Sequence, residues 1–381
     1  MLQFATTALS LYVLLSSTYA WDHLAESEFQ TALSKEIGVI VAAFVHIKPS
    51  DKKSEHLEIE WSLAIPQAQV PLISIDCAAS PTVCASHGIS SSSEVKLFKD
   101  GEAKATYRGP RRASAILAWI NRVQRPIVSE VNAAILEDFK KADETVFIAY
   151  LDANDETSKA AFADVAGRYH EEFTFAVTTD NVALTADKVT APTVKCYKPL
   201  DGDTHQFTSL SDVAALEKFI KEASRPVIGE LLPHNHQRFL DRGWSMVYVF
   251  AATEAERSEI RKELTKVARS YYESLTMVTV DPLEFPDLPA KLGLDPDALP
   301  AGAVHQLSKD SIYPYPKGRG WTSGELQSWG LDVWQGRIKP WTPPGVTTTY
   351  EDLGGRIKAT RRVSVRNIPG VKIRVGGHDE L

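Results

Sequence analysis

The hexapeptide Arg125-Pro-Ile-Val-Ser-Glu130 returns as Arg225-Pro-Val-Ile-Gly-Glu230, 100 residues further along the chain. A period of that length is the size of a small domain, so the sequence constrains the fold to successive copies of one plan. Each copy of the hexapeptide follows an amphipathic helical pattern, Ala113–Val123 and then Asp212–Ala223. Each proline ends its helix and opens the next unit. Apolar strand patterns recur at Val39–Val45, Val146–Leu151 and Met246–Ala251, each followed by a charged amphipathic helix. Second strands are predicted at Pro71–Asp76, Phe173–Thr178 and Thr276–Asp281. A hairpin then turns at Lys99-Asp-Gly101, Leu200-Asp-Gly202 and Ser308-Lys-Asp310, and a closing helix ends each unit, Ser323–Val333 in the third. With an early helix at Asp22–Ser34 in the first unit, the order is β-α-β-α-β-β-α, an α/β class of three layers around a mixed sheet. The expected divisions are a leader over 1–20, units over 21–125, 126–225 and 226–342, and a tail over 343–381.

The first unit opens on an unbroken apolar run, Val39–Val45, which reads as a central strand buried on both faces. Lys48-Pro-Ser-Asp51 breaks it, and a helical pattern follows from Ser54 with Leu57, Trp61 and Leu63 near one face. No cysteine lies in this strand–loop–helix stretch.

The termini give an address. Met1–Ala20 is uncharged in its side chains, apolar at its centre, and ends Thr-Tyr-Ala before Trp21, as a secretory signal peptide does. Its apolar core is short for a bilayer span, and no later segment is long and apolar enough to be one. His378-Asp379-Glu380-Leu381 is an endoplasmic-reticulum retrieval signal. The expected location is therefore the lumen of the endoplasmic reticulum, with the retrieval receptor as one partner. A net charge of −7 shows no nucleic-acid footprint. The tail departs from this balance: Arg356, Lys358, Arg361, Arg362, Arg366, Lys372 and Arg374 carry no acid between them. A flexible basic tail presenting the last four residues is expected, with a hairpin around Pro369-Gly370 and docking onto an acidic partner as the alternatives.

In that compartment thiols are oxidised. Cys77 and Cys84 stand close together in DCAASPTVC, and a structural disulfide is the natural reading; a redox-active pair is the alternative, disfavoured by the lack of C-x-x-C spacing. Cys196 is left over in VKCYK, either a buried inert thiol or an exposed one that pairs between molecules.

These residues resemble the protein disulfide isomerase family over nearly the whole chain after the leader. The first unit carries IDCAASPTVCASHGIS and then VKLFKDGEAKATYRGPRR, similar to the catalytic a domains of that family. Tyr107, Gly109, Pro110 and Arg111 match its Tyr-x-Gly-Pro-Arg motif, and the Cys77/Cys84 spacing resembles the non-catalytic disulfide of some members. The second unit resembles a non-catalytic b domain and the third the b′ domain. The resemblance thus implies three tandem thioredoxin-like domains, a-b-b′, with a short basic tail in place of a second catalytic domain. It also implies where the redox pair belongs: at the start of the helix after the first strand, where the helix dipole lowers a cysteine pKa. The family's Trp-Cys-Gly-His-Cys should fall within Ile47–Lys53 and finds no cysteine there. The cis-proline that faces the pair aligns with Ser93, whereas the second unit keeps it as Pro192 and the third as Pro300.

Disulfide exchange needs a thiolate, so no catalytic residue is assigned. No phosphate-binding glycine motif is present, His234-Asn-His236 lacks the ligands of a metal site, and no cofactor or metal is expected. Binding remains. The resemblance places the substrate-binding pocket of the b′ domain at Tyr248, Phe250, Leu264 and Val278; the alternative is that these apolar residues are core. Trp334 and Trp341 either cap that groove or staple the last helix. The expected function is a redox-inactive chaperone or adaptor for unfolded or client secretory proteins. The alternatives are a thiol-disulfide oxidoreductase with atypical cysteines and a subunit that retains a partner enzyme in the compartment.

Overall fold

The structure, a computed structural model, describes residues 22–35, 38–46, 52–89, 93–343, 346–353 and 356–363. The expected signal peptide, the loop 47–51, the Pro369-Gly370 turn and His378–Leu381 lie outside the described residues. The chain divides into two compact units, 1–124 and 125–381.

The first unit runs α1 (Glu26–Lys35), β1 (Val39–Val45), α2 (Lys52–Ala64), β2 (Leu72–Asp76), α3 (Pro81–Ser86), β3 (Glu94–Lys99), β4 (Glu102–Tyr107) and α4 (Ala113–Gln124). Its sheet has the order β2-β1-β3-β4, with β1 parallel to β2 and antiparallel to β3. As the second strand in, β1 is covered on both sides, which is why its sequence is apolar without alternation. Val41, Ala43 and Val45 pack with Leu57, Trp61, Ile116 and Trp119 from α2 and α4. Ala42 and Phe44 face the other way, with Phe29 of α1 and Val83 of α3. Leu63 does not join Leu57 and Trp61 on the buried face; it is 54% exposed. Two residues past Trp61 is roughly 200° around the helix, so the pattern that buries the pair turns Leu63 outward.

Two glycines answer to geometry. Asp100 and Gly101 both have positive φ, 54° and 80°, the conformation a two-residue hairpin needs. At Gly109 the Tyr107 ring lies so close that a Cβ would stand 2.6 Å from its hydroxyl oxygen. That hydroxyl donates to the Pro110 carbonyl at 2.6 Å, which explains why tyrosine, glycine and proline occur together here.

The second unit contains two further sheets of one topology. The first is built from β5 (Ser129–Glu130), α5 (Leu136–Phe139), β6 (Val146–Tyr150), α6 (Glu156–Tyr169), β7 (Thr174–Thr178), α7 (Asn181–Ala186), β8 (Thr193–Lys198), β9 (Asp203–Phe207) and α8 (Val213–Ala223), in the order β5-β7-β6-β8-β9. The next comprises β10 (Gly229–Leu231), α9 (His236–Leu240), β11 (Ser245–Phe250), α10 (Glu254–Ser270), β12 (Leu275–Val280), α11 (Leu288–Lys291), β13 (Ala301–Gln306), β14 (Ser311–Pro314) and α12 (Ser323–Trp334), in the order β10-β12-β11-β13-β14. Three mixed sheets flanked by helices follow, each an α/β thioredoxin-like plan. The edge strands β5 and β10 come from the repeated hexapeptide itself, pairing parallel to β7 and β12. The third hairpin turns through a single 3-10 turn, Leu307–Lys309, rather than a two-residue loop.

The long helices of the second unit start on built caps. Asp155 and Asp212 accept from Ser158 N and Ala215 N at 3.0 Å each, and Thr253 with Glu256 forms a capping box on α10. The tail differs from the flexible segment expected: β15 (Val346–Leu353) and β16 (Arg356–Val363) pair antiparallel as a separate two-stranded sheet. Among the described residues no helix is long and apolar enough to cross a membrane.

Candidate functional site

In the first unit the parallel strands β1 and β2 end together at Val45 and Asp76, and α2 starts beside them. Two side chains meet there, bridged by the His46 backbone. Ser54, in the first turn of α2 and 6% exposed, lies 3.0 Å from Ser93 across the loop that enters β3 (Oγ to Oγ). Ser54 Oγ also donates to the His46 carbonyl at 3.4 Å, and the His46 amide donates to Ser93 Oγ at 3.5 Å. The His46 Nε2 is buried and has no hydrogen-bond partner among the described residues. Two hydroxyls thus face each other at the end of the sheet.

The sulfurs are elsewhere. Cys77 and Cys84 form a disulfide with a Cα–Cα distance of 5.6 Å, joining the end of β2 to α3. Both are buried, 4% and 2% exposed. Cys196 on β8 has no exposure, and its thiol donates to the Ala223 carbonyl at 3.5 Å. Burial pushes that thiol up to about 12. A group so rarely ionised near neutrality is a poor nucleophile.

At the corresponding end of the third sheet the filling is ionic. Arg257 of α10, 3% exposed, reaches Asp281 at 3.1 Å and Glu254 at 3.2 Å, and donates to the Ala251 carbonyl at 2.9 Å. The peptide bonds Ala191-Pro192 and Leu299-Pro300 are cis.

The residues expected to line a binding pocket in this sheet do not form one lining. Tyr248, Phe250 and Val278 pack together with Leu231, Phe239 and Leu292 on the α9 and α11 face. Leu264 lies on the opposite face, with Val247, Val249 and Trp329 under α10 and α12. Neighbouring strand residues point to opposite faces, and an α10 residue reaches only the odd-numbered set of β11. All four are at most 2% exposed. Above Tyr248 and Phe250 lies a layer of partly buried apolar residues that includes Phe285, Leu288 and Leu299. His236 joins it, its ring edge-on to Phe285 at 5.6 Å. Trp334 stands apart, 77% exposed at the end of α12, whereas Trp341 bridges to Ile312 and packs against Gly293.

The geometry agrees with what the chain is similar to. Residues 21–122 match the family described as thioredoxin, and residues 151–329 match the thioredoxin-like domain. Protein disulfide-isomerase from Humicola insolens is 30% identical over 281 residues, 74% of this chain and 56% of that protein. The enzyme of that name from Aspergillus niger is 26% identical over 310 residues, 80% of this chain and 59% of its own. The chain belongs to the protein disulfide isomerase family. It spans less than two thirds of the length of these relatives. Among solved structures, human ERp44 form II superposes with a TM-score of 0.40 at 16% identity, covering 83% of this chain and 88% of that one.

Membership in the protein disulfide isomerase family refines one position. The residue facing Ser93, where the family has its cis-proline, is Ser54, one beyond the window Ile47–Lys53 expected from sequence. Set to end on Ser54, the Trp-Cys-Gly-His-Cys that the resemblance implies would cover Ser50–Ser54, with Asp51 and Ser54 at its two cysteine positions. Ser54 was missed because a single hydroxyl in a helical pattern carries no signal; its distance from Ser93 identifies it. No group of three or more His, Cys, Asp or Glu side chains able to hold a metal is found among the described residues.

Proposed function

We propose that this chain is a redox-inactive member of the protein disulfide isomerase family that binds unfolded or client polypeptides in the lumen of the endoplasmic reticulum. The observation that carries this reading is the Ser54–Ser93 hydroxyl pair at the start of α2, where its catalytic relatives place a reactive sulfur. The buried Cys77–Cys84 disulfide and the buried Cys196 support it, since neither offers a ready thiolate. The signal-peptide pattern at 1–20 and His378–Leu381 support the location, with the retrieval receptor as a second partner.

Client binding in this reading falls to the third sheet. Tyr248, Phe250 and Val278 form the floor, and the partly buried Phe285, Leu288 and Leu299 are the side chains a client meets first. Leu264 supports the floor from behind. Two assays on the purified protein test the proposal. Insulin reduction with dithiothreitol should stay at the uncatalysed rate. Aggregation of a chemically denatured client should be suppressed, and Phe285→Asp should weaken that suppression while leaving the far-ultraviolet circular dichroism unchanged. A substitution at Phe250 is unsuitable, because it would disrupt the core itself. Catalysed insulin reduction that disappears in Cys77→Ser would overturn the proposal.

A further inference from the structure

The repeated hexapeptide is treated differently at its second occurrence. Arg225 is 5% exposed and stacks between two rings, its Cζ 3.7 Å from the centroid of Tyr272 and 5.0 Å from that of Trp244. Beyond Trp244 comes a second guanidinium: Arg242 Cζ is 6.0 Å from the Trp244 ring and 5.9 Å from that of Phe239. Cation and aromatic side chains alternate through Tyr272, Arg225, Trp244, Arg242 and Phe239. Arg238, four residues before Arg242, flanks the same place; it donates to the Lys221 carbonyl at 3.2 Å and pairs with Glu172 at 3.3 Å.

The carboxylates near these cations are exposed. Arg225 pairs with Glu273 at 2.9 Å, but that carboxylate is 81% exposed and screened by water. Arg225 Nε is buried with no acceptor. Arg242 is half-buried and has only its ring contacts, with no hydrogen bond or ion pair among the described residues. Burial, then the nearby charges of Arg225 and Arg238, hold Arg242 below the usual arginine range, against the pull of Glu222. A buried charge left without a partner is costly, and planar guanidinium groups recognise tetrahedral oxyanions by paired N–H donation.

We infer that Arg242 and Arg238, backed by Arg225 and walled by Trp244, form a binding site for a phosphate dianion, free or carried on a small molecule. A dianion neutralises more of this clustered charge than a single carboxylate does. The site lies between α9 and β11, and Phe239 is the residue it shares with the core under the apolar layer over Tyr248.

The test is a titration of the purified protein with inorganic phosphate and, separately, glycerol 3-phosphate, each against sodium chloride at matched ionic strength. Tryptophan fluorescence and thermal unfolding are the readouts. A saturable rise in melting temperature with either phosphate and not with chloride is expected. Tighter binding of glycerol 3-phosphate would identify a carried phosphate; tighter binding of inorganic phosphate would identify the free ion. Arg242→Gln should weaken binding about tenfold or more, Arg242→Lys less, and Glu222→Gln should strengthen it. The exposed Arg238→Gln gives a second loss variant should Arg242→Gln fold poorly. Equal shifts in phosphate and chloride would overturn the assignment. So would unchanged binding in both loss variants, or saturable binding of a glutamate-rich peptide in place of either phosphate.

Discussion

The first sheet has the order of the third without its edge strand β10, and at the same end of each, beside the start of the crossover helix, they hold opposite fillings. In the first, two small hydroxyls face each other across 3.0 Å. In the third, Arg257 is locked to Asp281, Glu254 and a backbone carbonyl. The third is filled by a buried ion pair whose removal leaves a stranded charge. The same end of the sheet is thus filled in two physical forms, one open to exchange for atoms of similar size and one built into the stability of the domain.

The sharpest way to break this comparison is to restore the sulfurs. Asp51→Cys with Ser54→Cys, with or without Ser93→Pro, should raise insulin reduction from background to a measurable rate. The matching double exchange at the start of α10 should not. No gain in the first domain would mean that more than two side chains separate it from its catalytic relatives.

A smaller but still large effect is expected at the ion pair. Arg257→Ala should cost about 3 kcal/mol, because the buried guanidinium contacts are lost and the largely covered Asp281 is left without this partner. Urea unfolding followed by the fluorescence of the third domain measures it, and a loss below that of an exposed pair would contradict the picture of a structural plug. Removing the disulfide with Cys77→Ser and Cys84→Ser should cost about 2–3 kcal/mol on the chain-entropy account, read by thermal unfolding of the first unit. It should not change the insulin assay.

The second sheet adds a pH dependence. Burial acts to raise the Asp187 pKa, but hydrogen bonds from Lys140, Tyr150 and Tyr197 outweigh it and hold this carboxyl below its ordinary value. A depressed carboxylate stabilises the fold fully above its unfolded pKa, about 3.9, and that contribution is lost as pH falls through the lower folded value. Acid unfolding of Asp187→Asn should therefore lose this component of its slope, while wild type keeps it. The smallest effect belongs to Ser54→Ala, about 1 kcal/mol, for the loss of one partly buried hydroxyl contact. A far larger loss there would mean that the hydroxyl pair, and not only the ion pair, is structural.

Much of this was legible in the chain. Runs such as Val39–Val45 announce central strands, Asp100-Gly101 announces a hairpin, and the spacing of Ile116, Trp119 and Ile120 gives the buried face of α4. What escaped has particular causes. β5 and β10 are two and three residues long, too short for a period to show. Arg257 reads as one more charge on a polar helix, because sequence carries no sign that Asp281 waits beneath it. The family resemblance puts Leu264 with Tyr248, although the sheet between them sends them to different cores. The β15–β16 hairpin was hidden by a basic composition that usually marks unstructured chain.

Cys196 gives the molecule an internal clock. With the other two cysteines joined to each other, it is the sole sulfhydryl of the folded chain, sealed beneath α8 with its hydrogen on the Ala223 carbonyl. An alkylating dye can reach it only in the moments when that helix lifts. The pace of labelling on intact protein thus counts those moments directly, and reports how often the middle domain breathes.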